Sequence, residues 1–287
     1  MQPWVFFTLL SVFAMACAEL SQKISLTQKA KISAITNNFF VWTLQGIGGL
    51  IIAAFLGQFA FSLSSEQFFK LVLVALVYFF GGTFFYTSYK GNSPSISIVL
   101  GSVSVIVSTT LGIIFFQEGT SPVKFIGIAL ILFAIVVANY QKSERFSKFN
   151  LFAFLGGICF GVAFTLDKSF ALQLPPAIYV ALLCFSVAIV SAILKGKHVI
   201  SEAKPLKLHN YYPMVASATF GTLFNFFTFR SYSLGGNVGM VDAMNNSNVF
   251  IVIVLEMFLL KDRKNLARKT SAAMLVGIAI WVLSGVK

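Results

Sequence analysis

Charged residues are scarce in this chain of 287 residues, since only 10% are Asp, Glu, Lys or Arg, whereas soluble domains carry about a quarter. Histidine occurs twice and cysteine three times, and the sequence has no HExxH pattern, acidic metal-binding run or nucleotide-binding motif. The scarcity of charge excludes an ordinary soluble domain, and the missing motifs argue against an enzyme. We therefore predict no catalytic residues, no cofactor and no metal site.

Apolar residues are abundant, at 57% of the chain, and the few charges form short islands between apolar runs near twenty residues long. Each run is long enough to cross the ~30 Å hydrocarbon core as a helix, and the alternation typical of a membrane β-barrel is absent. The sequence predicts an all-α integral protein of the cell membrane whose activity lies among its helices. The ten predicted spans are 3–20, 33–57, 68–89, 95–116, 122–140, 150–172, 176–194, 211–234, 238–260 and 270–286.

The net charge of +12 would suggest a nucleic-acid partner in a soluble protein. Here we assign it to the positive-inside bias of short loops, and we predict the lipid bilayer as partner and no nucleic acid. Of the 21 Lys and Arg residues, 16 lie in loops that follow odd-numbered spans. This count favours both termini outside the cytoplasm.

The hydrophilic island QKSERFSKF at 141–149 divides the chain into two units of five spans, 1–140 and 150–287. Three short similarities recur in the same order in both units, which indicates an internal duplication. An odd number of spans per unit requires the two repeats to be inverted in the membrane. The similarities pair Glu19 with Asp167, 83–92 with 225–237, and 125–137 with 275–286.

The stretch IIFFQEGTSPVKFIGIALILFAIVV at 113–137 resembles the end of helix four, the acidic turn and helix five of the ten-helix EamA-type members of the drug/metabolite transporter superfamily. Glu118 stands at the matching acidic position. The chain departs from the family at Ser102, which replaces a common proline, and at Lys261 and Asp262, which stand where a counterpart of Glu118 would be.

The resemblance implies carriers that move small metabolites by alternating access, commonly exporting amino acids or related compounds. It also implies that both termini lie in the cytoplasm, opposite to the charge count, so the orientation stays open. The substrate, the coupling ion and the choice between monomer and homodimer are likewise open.

Span nine holds the densest polar segment, VDAMNNSNVF at 241–250. On one helix Asp242, Asn245 and Asn246 share a face, and Glu256 returns to within about 40° of Asp242. We expect this face to meet a central cavity, with contact to substrate or proton. The alternative is an interhelical amide clamp, at about 0.6 kcal/mol per bond, and Asn248 is predicted to make such a bond.

Span eight adds Asn225, Tyr232 and Arg230, where the guanidinium either snorkels to the interface or pairs with Asp242 or a substrate carboxylate. Rings and an amide suited to an amphipathic metabolite occur in spans two and three. These further substrate-binding candidates are Trp42, Gln45, Tyr86 and Tyr89.

The proton-coupling candidates are Glu19, Asp167, Asp242 and Glu256, because ionisable groups within a membrane are costly and therefore suggest function. The alternative for Glu19 and Asp167 is a rim charge neutralised by Lys23 or Lys168, and for Glu256 it is snorkelling. The predicted function is a secondary carrier, proton-coupled or facilitative, that exports a small metabolite. The alternatives are a structural or sensory membrane protein and, least favoured, a membrane-embedded enzyme.

Overall fold

The computed structural model describes residues 2–28, 32–59, 61–139 and 147–259, and the short pieces 274–275, 278–279 and 281–282. Within these ranges the regular secondary structure is all helical, with turns and loops between the helices, as the sequence predicts. The helices are α1 Pro3–Thr27, α2 Ala34–Leu56, α3 Ser65–Ser88, α4 Pro94–Gly101, α5 Val103–Phe116, α6 Pro122–Asn139, α7 Lys148–Ala171, α8 Pro176–Ala203, α9 Leu208–Ser233, α10 Val238–Asn246 and α11 Asn248–Leu259.

Seven stretches of the described residues are long and apolar enough to cross a membrane: α1, α2, α3, α4 with α5, α7, α8, and α10 with α11. Helix α6 contributes a shorter apolar stretch, Pro122–Ala134. Helix α9 occupies the predicted eighth span, but polar side chains recur along its length. The predicted tenth span, 270–286, lies mostly outside the described residues.

Helix ends follow local sequence signals. Ser64 and Gln67 form a capping box at the start of α3, and the Ser33 hydroxyl accepts a hydrogen bond from the Thr36 amide at the start of α2. Such caps contribute about 1 kcal/mol each by satisfying amides that have no intrahelical partner. Gly57 ends α2 in the left-handed region, with φ 64°, a conformation that glycine adopts without strain.

Two predicted span ends differ from the ends of the helices in the structure. Helix α1 continues to Thr27 rather than ending at residue 20, and α8 continues to Ala203 across a bend at Lys195. Hydropathy marks where the apolar layer ends, whereas backbone hydrogen bonding carries a helix on into the interface. Spans four and nine each form one apolar stretch as predicted, and the regular helix is interrupted for one residue, at Ser102 and at Ser247, whose backbones stay in the right-handed helical region.

The helices pack in pairs: α1 along α9, α2 along α8, and α3 along α7, while α5 contacts both α7 and α10. Large apolar side chains cover the outside of the bundle; Phe55 is 87% exposed and Ile193 is 76% exposed. An apolar surface of this extent is typical of contact with lipid. The buried acids and amides lie inside the bundle.

Candidate functional site

A partly open cavity lies inside the bundle. Its wall combines polar side chains with rings, contributed by α1, α2, α3, α4, α5, α7, α9 and α10. The polar wall consists of Glu19, Asn38, Gln45, Ser104, Ser217, Asn225 and Asn246. The rings are Trp42, Tyr78, Phe85, Tyr86, Phe160, Phe164 and Phe224.

Hydrogen bonds fix the amides of this wall in place. The Asn225 amide donates to Gln45 Oε1 at 2.9 Å, which joins α9 to α2. Gln22 donates to Asn38 Oδ1 at 3.0 Å and accepts from the Ser217 hydroxyl at 2.7 Å. The polar groups are therefore held in a defined arrangement before any ligand enters, which lowers the entropic cost of binding.

The acid in the wall is Glu19, which is 3% exposed. Its Oε2 accepts a hydrogen bond of 2.7 Å from Asn248 on α11, so Asn248 makes the interhelical bond predicted for it. None of the described lining residues is Lys, Arg or His. A substrate ammonium or hydroxyl group thus finds acceptors in this wall, whereas a substrate carboxylate finds no cationic side chain there.

Five of the predicted substrate-binding residues line the cavity, together with the proton-coupling candidate Glu19. The Trp42 and Tyr78 rings pack edge to face in this wall, with centroids 5.3 Å apart. The five are Trp42, Gln45, Tyr86, Asn225 and Asn246.

The expectation that the polar face of span nine meets one cavity is wrong for two of its three residues. Asn246 lines the cavity, but Asp242 is fully buried against α5. Asn245 accepts from the Ser11 hydroxyl of α1 and donates to Thr228 of α9. Positions i+3 and i+4 of a helix point about 100° apart, so the residues of this face reach different neighbours.

The alternative in which Arg230 pairs with Asp242 is also wrong. Arg230 is exposed, and its guanidinium carbon lies 5.9 Å from the centroid of the Phe7 ring. Tyr232 is fully buried outside the cavity wall. Tyr89 is buried behind the wall, where its ring packs against the lining residues Phe85 and Tyr86.

Asp167 is fully buried and accepts hydrogen bonds from two tyrosines. The Tyr78 hydroxyl donates to Oδ2, and the Tyr179 hydroxyl donates to Oδ1 at 2.6 Å. The alternative in which Lys168 neutralises Asp167 is wrong, because the Lys168 ammonium donates to Glu118 instead. Consecutive helical residues point about 100° apart, so neighbours in sequence do not pair here.

Glu256 belongs to α11, and its side chain lies outside what the structure describes. Its predicted alignment with Asp242 assumes one uninterrupted helix, and the interruption at Ser247 removes that assumption. The proton-coupling role of Glu256 therefore stays a prediction.

A cluster that the sequence reasoning missed surrounds Glu118, in the turn between α5 and α6. Glu118 Oε1 accepts from the Lys168 ammonium at 2.8 Å and from the Val238 amide at 2.7 Å. Oε2 accepts from the Lys124 ammonium at 3.1 Å, and all three charged side chains are buried. The acidic turn QEGTS signalled Glu118, but no pattern in the sequence indicated its partners.

The hydroxyl partners of Asp167 and Asp242 were missed as well. Ser104 and Ser108 are four residues apart on α5 and both donate to Asp242, at 3.1 and 2.8 Å. Their spacing was a usable signal, since serines at i and i+4 share a helix face. Tyr78 and Tyr179 gave no such signal. The described residues contain no group of three or more His, Cys, Asp or Glu side chains that could hold a metal ion.

Comparisons with known proteins agree with this architecture. The model of the EamA-like transporter family matches residues 2–140. The uncharacterized membrane protein YvaE of Bacillus subtilis (strain 168) is 32% identical over 88 residues, which are 29% of this chain and 74% of YvaE. A protein of known crystal structure shares the fold, with a TM-score of 0.77 and 14% identity over 98% of this chain and 96% of that one. The chain thus belongs to the EamA-like transporter family, membrane transporters of the drug/metabolite transporter superfamily.

Proposed function

We propose that this transporter exports a small metabolite, such as an amino acid or a related compound, across the cell membrane by alternating access. The observation that carries the proposal is the cavity in the bundle, which is walled by fixed amides, one acid and rings. Secondary carriers bind their substrate near the midplane, between repeats that move against each other. The proposed repeats are 1–140 and 150–287, joined by 141–149, with ten membrane-spanning helices in all.

The packing pattern supports the inverted repeat. If five spans separate equivalent helices, α1 corresponds to α7, α3 to α9, and α4 with α5 to α10 with α11. The α1–α9 pair then corresponds to the α7–α3 pair, the α2–α8 pair corresponds to itself, and the α5–α10 pair corresponds to the α11–α4 pair. The interruptions at Ser102 and Ser247 also fall in corresponding helices.

The side chains of the cavity wall are complementary to a substrate that has an apolar or aromatic body and a hydrogen-bonding or positively charged group. Trp42 and Tyr86 offer ring surfaces, which attract apolar groups and cations. Glu19 offers a carboxylate, and Asn225 and Asn246 offer amides. Among the metabolites that fit are amines and amino acids whose amino group meets Glu19.

The Glu118 cluster supports alternating access, because it joins helix ends of both proposed repeats. Ser104 lines the cavity near the start of α5, and Phe116 ends that helix about 18 Å further along the axis. Just beyond Phe116, Glu118 joins the α5–α6 turn to Lys168 of α7 and to the first amide of α10. These bonds link the two proposed repeats, and a carrier that opens on this side would have to break them.

Asp167 is the carboxylate best placed for proton coupling. Its partner Tyr78 also lines the cavity, so one phenol contacts both the buried acid and the space that a substrate would occupy. A carboxylate that exchanges a proton as access alternates would couple export to the proton gradient. Asp242 instead accepts from two serine hydroxyls and an amide.

The test is substrate counterflow with the full chain reconstituted in proteoliposomes, using a panel of labelled amino acids and amines. We expect counterflow of at least one panel member, and we expect Asn225→Ala to reduce it about tenfold or more, as loss of a buried partner for a polar ligand group does. Thr219→Ala is the matched control, since Thr219 is an exposed residue of the same helix. A protein that binds and exchanges no panel member would contradict the proposal and favour a structural or sensory role.

A further inference from the structure

Asp242 lies where α5 packs against α10, and two hydroxyl groups and one amide nitrogen contact its carboxylate. Its Oδ1 accepts from the Ser104 hydroxyl at 3.1 Å and from the Asn246 amide at 2.8 Å. Its Oδ2 accepts from the Ser108 hydroxyl at 2.8 Å. We propose that this cluster, Asp242 with Ser102, Ser104, Ser108 and Asn246, is a binding site for a small alkali cation, with Na⁺ as the preferred ion.

The charge of the site supports this assignment. Asp242 is 0% exposed, and its hydrogen-bond donors among the described residues are two hydroxyls and an amide, with no ammonium or guanidinium group. A buried carboxylate is stable when paired with a cation. The Glu118 cluster shows how this chain matches a buried acid with lysines, and Asp242 lacks that arrangement.

The ligand types also fit an alkali cation. Hard cations bind carboxylate, hydroxyl and carbonyl oxygens. A serine hydroxyl can rotate its hydrogen away and turn a lone pair toward the ion. Ser102 Oγ donates to Asn246 Oδ1 at 3.1 Å, which brings two more oxygens to the same place.

The cluster lies where two helices are interrupted. Helix α4 ends at Gly101 and α5 begins at Val103, while α10 ends at Asn246 and α11 begins at Asn248. The Val105 and Phe250 amides donate to the Ser102 and Ser247 carbonyls, three residues earlier, so both helices are irregular at these points while their backbones stay hydrogen-bonded. The Ser102–Asn246 hydrogen bond joins the two interruptions directly.

An unpartnered buried hydroxyl lies about one helix turn from the cluster, and the cavity gives the cluster a route of entry. The Thr109 hydroxyl is buried and has no hydrogen-bond partner among the described atoms. It packs against Gly239, one turn before Asp242, where a Cβ atom would come within 2.0 Å of Thr109 Oγ1. Ser104 and Asn246 belong to both the cluster and the cavity wall, so an ion reaches Asp242 through the cavity.

The experiment measures thermal unfolding of the detergent-solubilised full chain while NaCl replaces choline chloride at constant ionic strength. We expect the melting temperature to rise with Na⁺ and to saturate, as binding to the folded state requires, and to rise less with K⁺. Ser108→Ala should raise the half-saturating Na⁺ concentration about tenfold or more, as loss of a site partner commonly does. Asp242→Asn should abolish the Na⁺ effect.

Asp167→Asn is the matched control, because it removes the other fully buried aspartate and should leave the Na⁺ effect intact. If Asp242→Asn does not fold, Ser108→Ala still decides the question. Equal melting temperatures in NaCl and choline chloride would overturn the proposal, as would an unchanged Na⁺ response in Ser108→Ala. The measurement needs no transport, so Na⁺ binding without counterflow would contradict the proposed function alone.

Discussion

Asp167 and Asp242 are equally buried, and each belongs to a helix of the second half of the chain, but their surroundings differ. Asp167 accepts from the phenols of Tyr78 and Tyr179, which come from α3 and α8. Asp242 accepts from two serines of α5 and from Asn246 of its own helix. Asp167 contacts two aromatic rings, whereas Asp242 lies among hydroxyl and amide groups where α5 packs against α10.

The difference indicates two kinds of chemistry. Both partners of Asp167 are phenols of bulky rings, and the cation that we expect Asp167 to take up is a proton. Two serine hydroxyls contact Asp242, and the Asn246 amide that donates to it carries an oxygen that accepts from Ser102. These oxygens are potential ligands for a metal cation. Glu118 supplies the reference case, because it is a buried acid whose cationic partners belong to the protein.

The largest loss of stability should come from changing Glu118. Glu118→Gln leaves Lys124 and Lys168 buried without a carboxylate, and breaking a buried ion pair in this way costs about 3–5 kcal/mol. We expect a marked fall in the melting temperature of the detergent-solubilised protein. Glu66→Gln is the control, since the Glu66–Lys70 pair is exposed and surface ion pairs contribute little to stability. Similar melting temperatures for the two variants would show that the Glu118 cluster does not hold the bundle together.

The next effect tests the two aspartates directly. We expect Asp167→Asn to reduce flux driven by a pH gradient about tenfold or more, the size of effect that removal of a proton-transfer group has, while counterflow continues. Asp242→Asn should keep its response to the pH gradient and lose its response to Na⁺. The measurement is flux into proteoliposomes under each gradient separately. The reverse pattern, with pH response lost only in Asp242→Asn, would exchange the two assignments.

The smallest effect separates the two tyrosines. Tyr179→Phe removes one hydrogen bond to Asp167, and we expect a stability loss of about 1–3 kcal/mol with unchanged apparent affinity for substrate. Tyr78→Phe should show a comparable loss and also change the apparent substrate affinity, because Tyr78 lines the cavity. Melting temperatures and concentration-dependent counterflow measure both quantities. Equal substrate affinities in the two variants would remove Tyr78 from the site.

The types of side chain in the sequence predicted much of the cavity wall. Trp42, Gln45, Tyr86, Asn225 and Asn246 were expected in a cavity wall, and they line one. Polar groups in apolar helices are costly toward lipid, so sequence alone indicates that they face inward. It does not indicate which inward neighbour they meet, and for this reason Asp242 and Asn245 were assigned to the wrong surroundings.

Composition and hydropathy by themselves determined that this chain is helical and lies in a membrane, because backbone groups in lipid must be satisfied within each helix. They also located the acids and amides that a bilayer would not accept without partners. Only the tertiary structure decided the pairings: Lys168 with Glu118 rather than Asp167, phenols on Asp167, and serines on Asp242. These partners lie up to 138 residues apart in sequence. Helix rotation and packing angle select among such distant groups, and neither is encoded in the local periodicity of one helix.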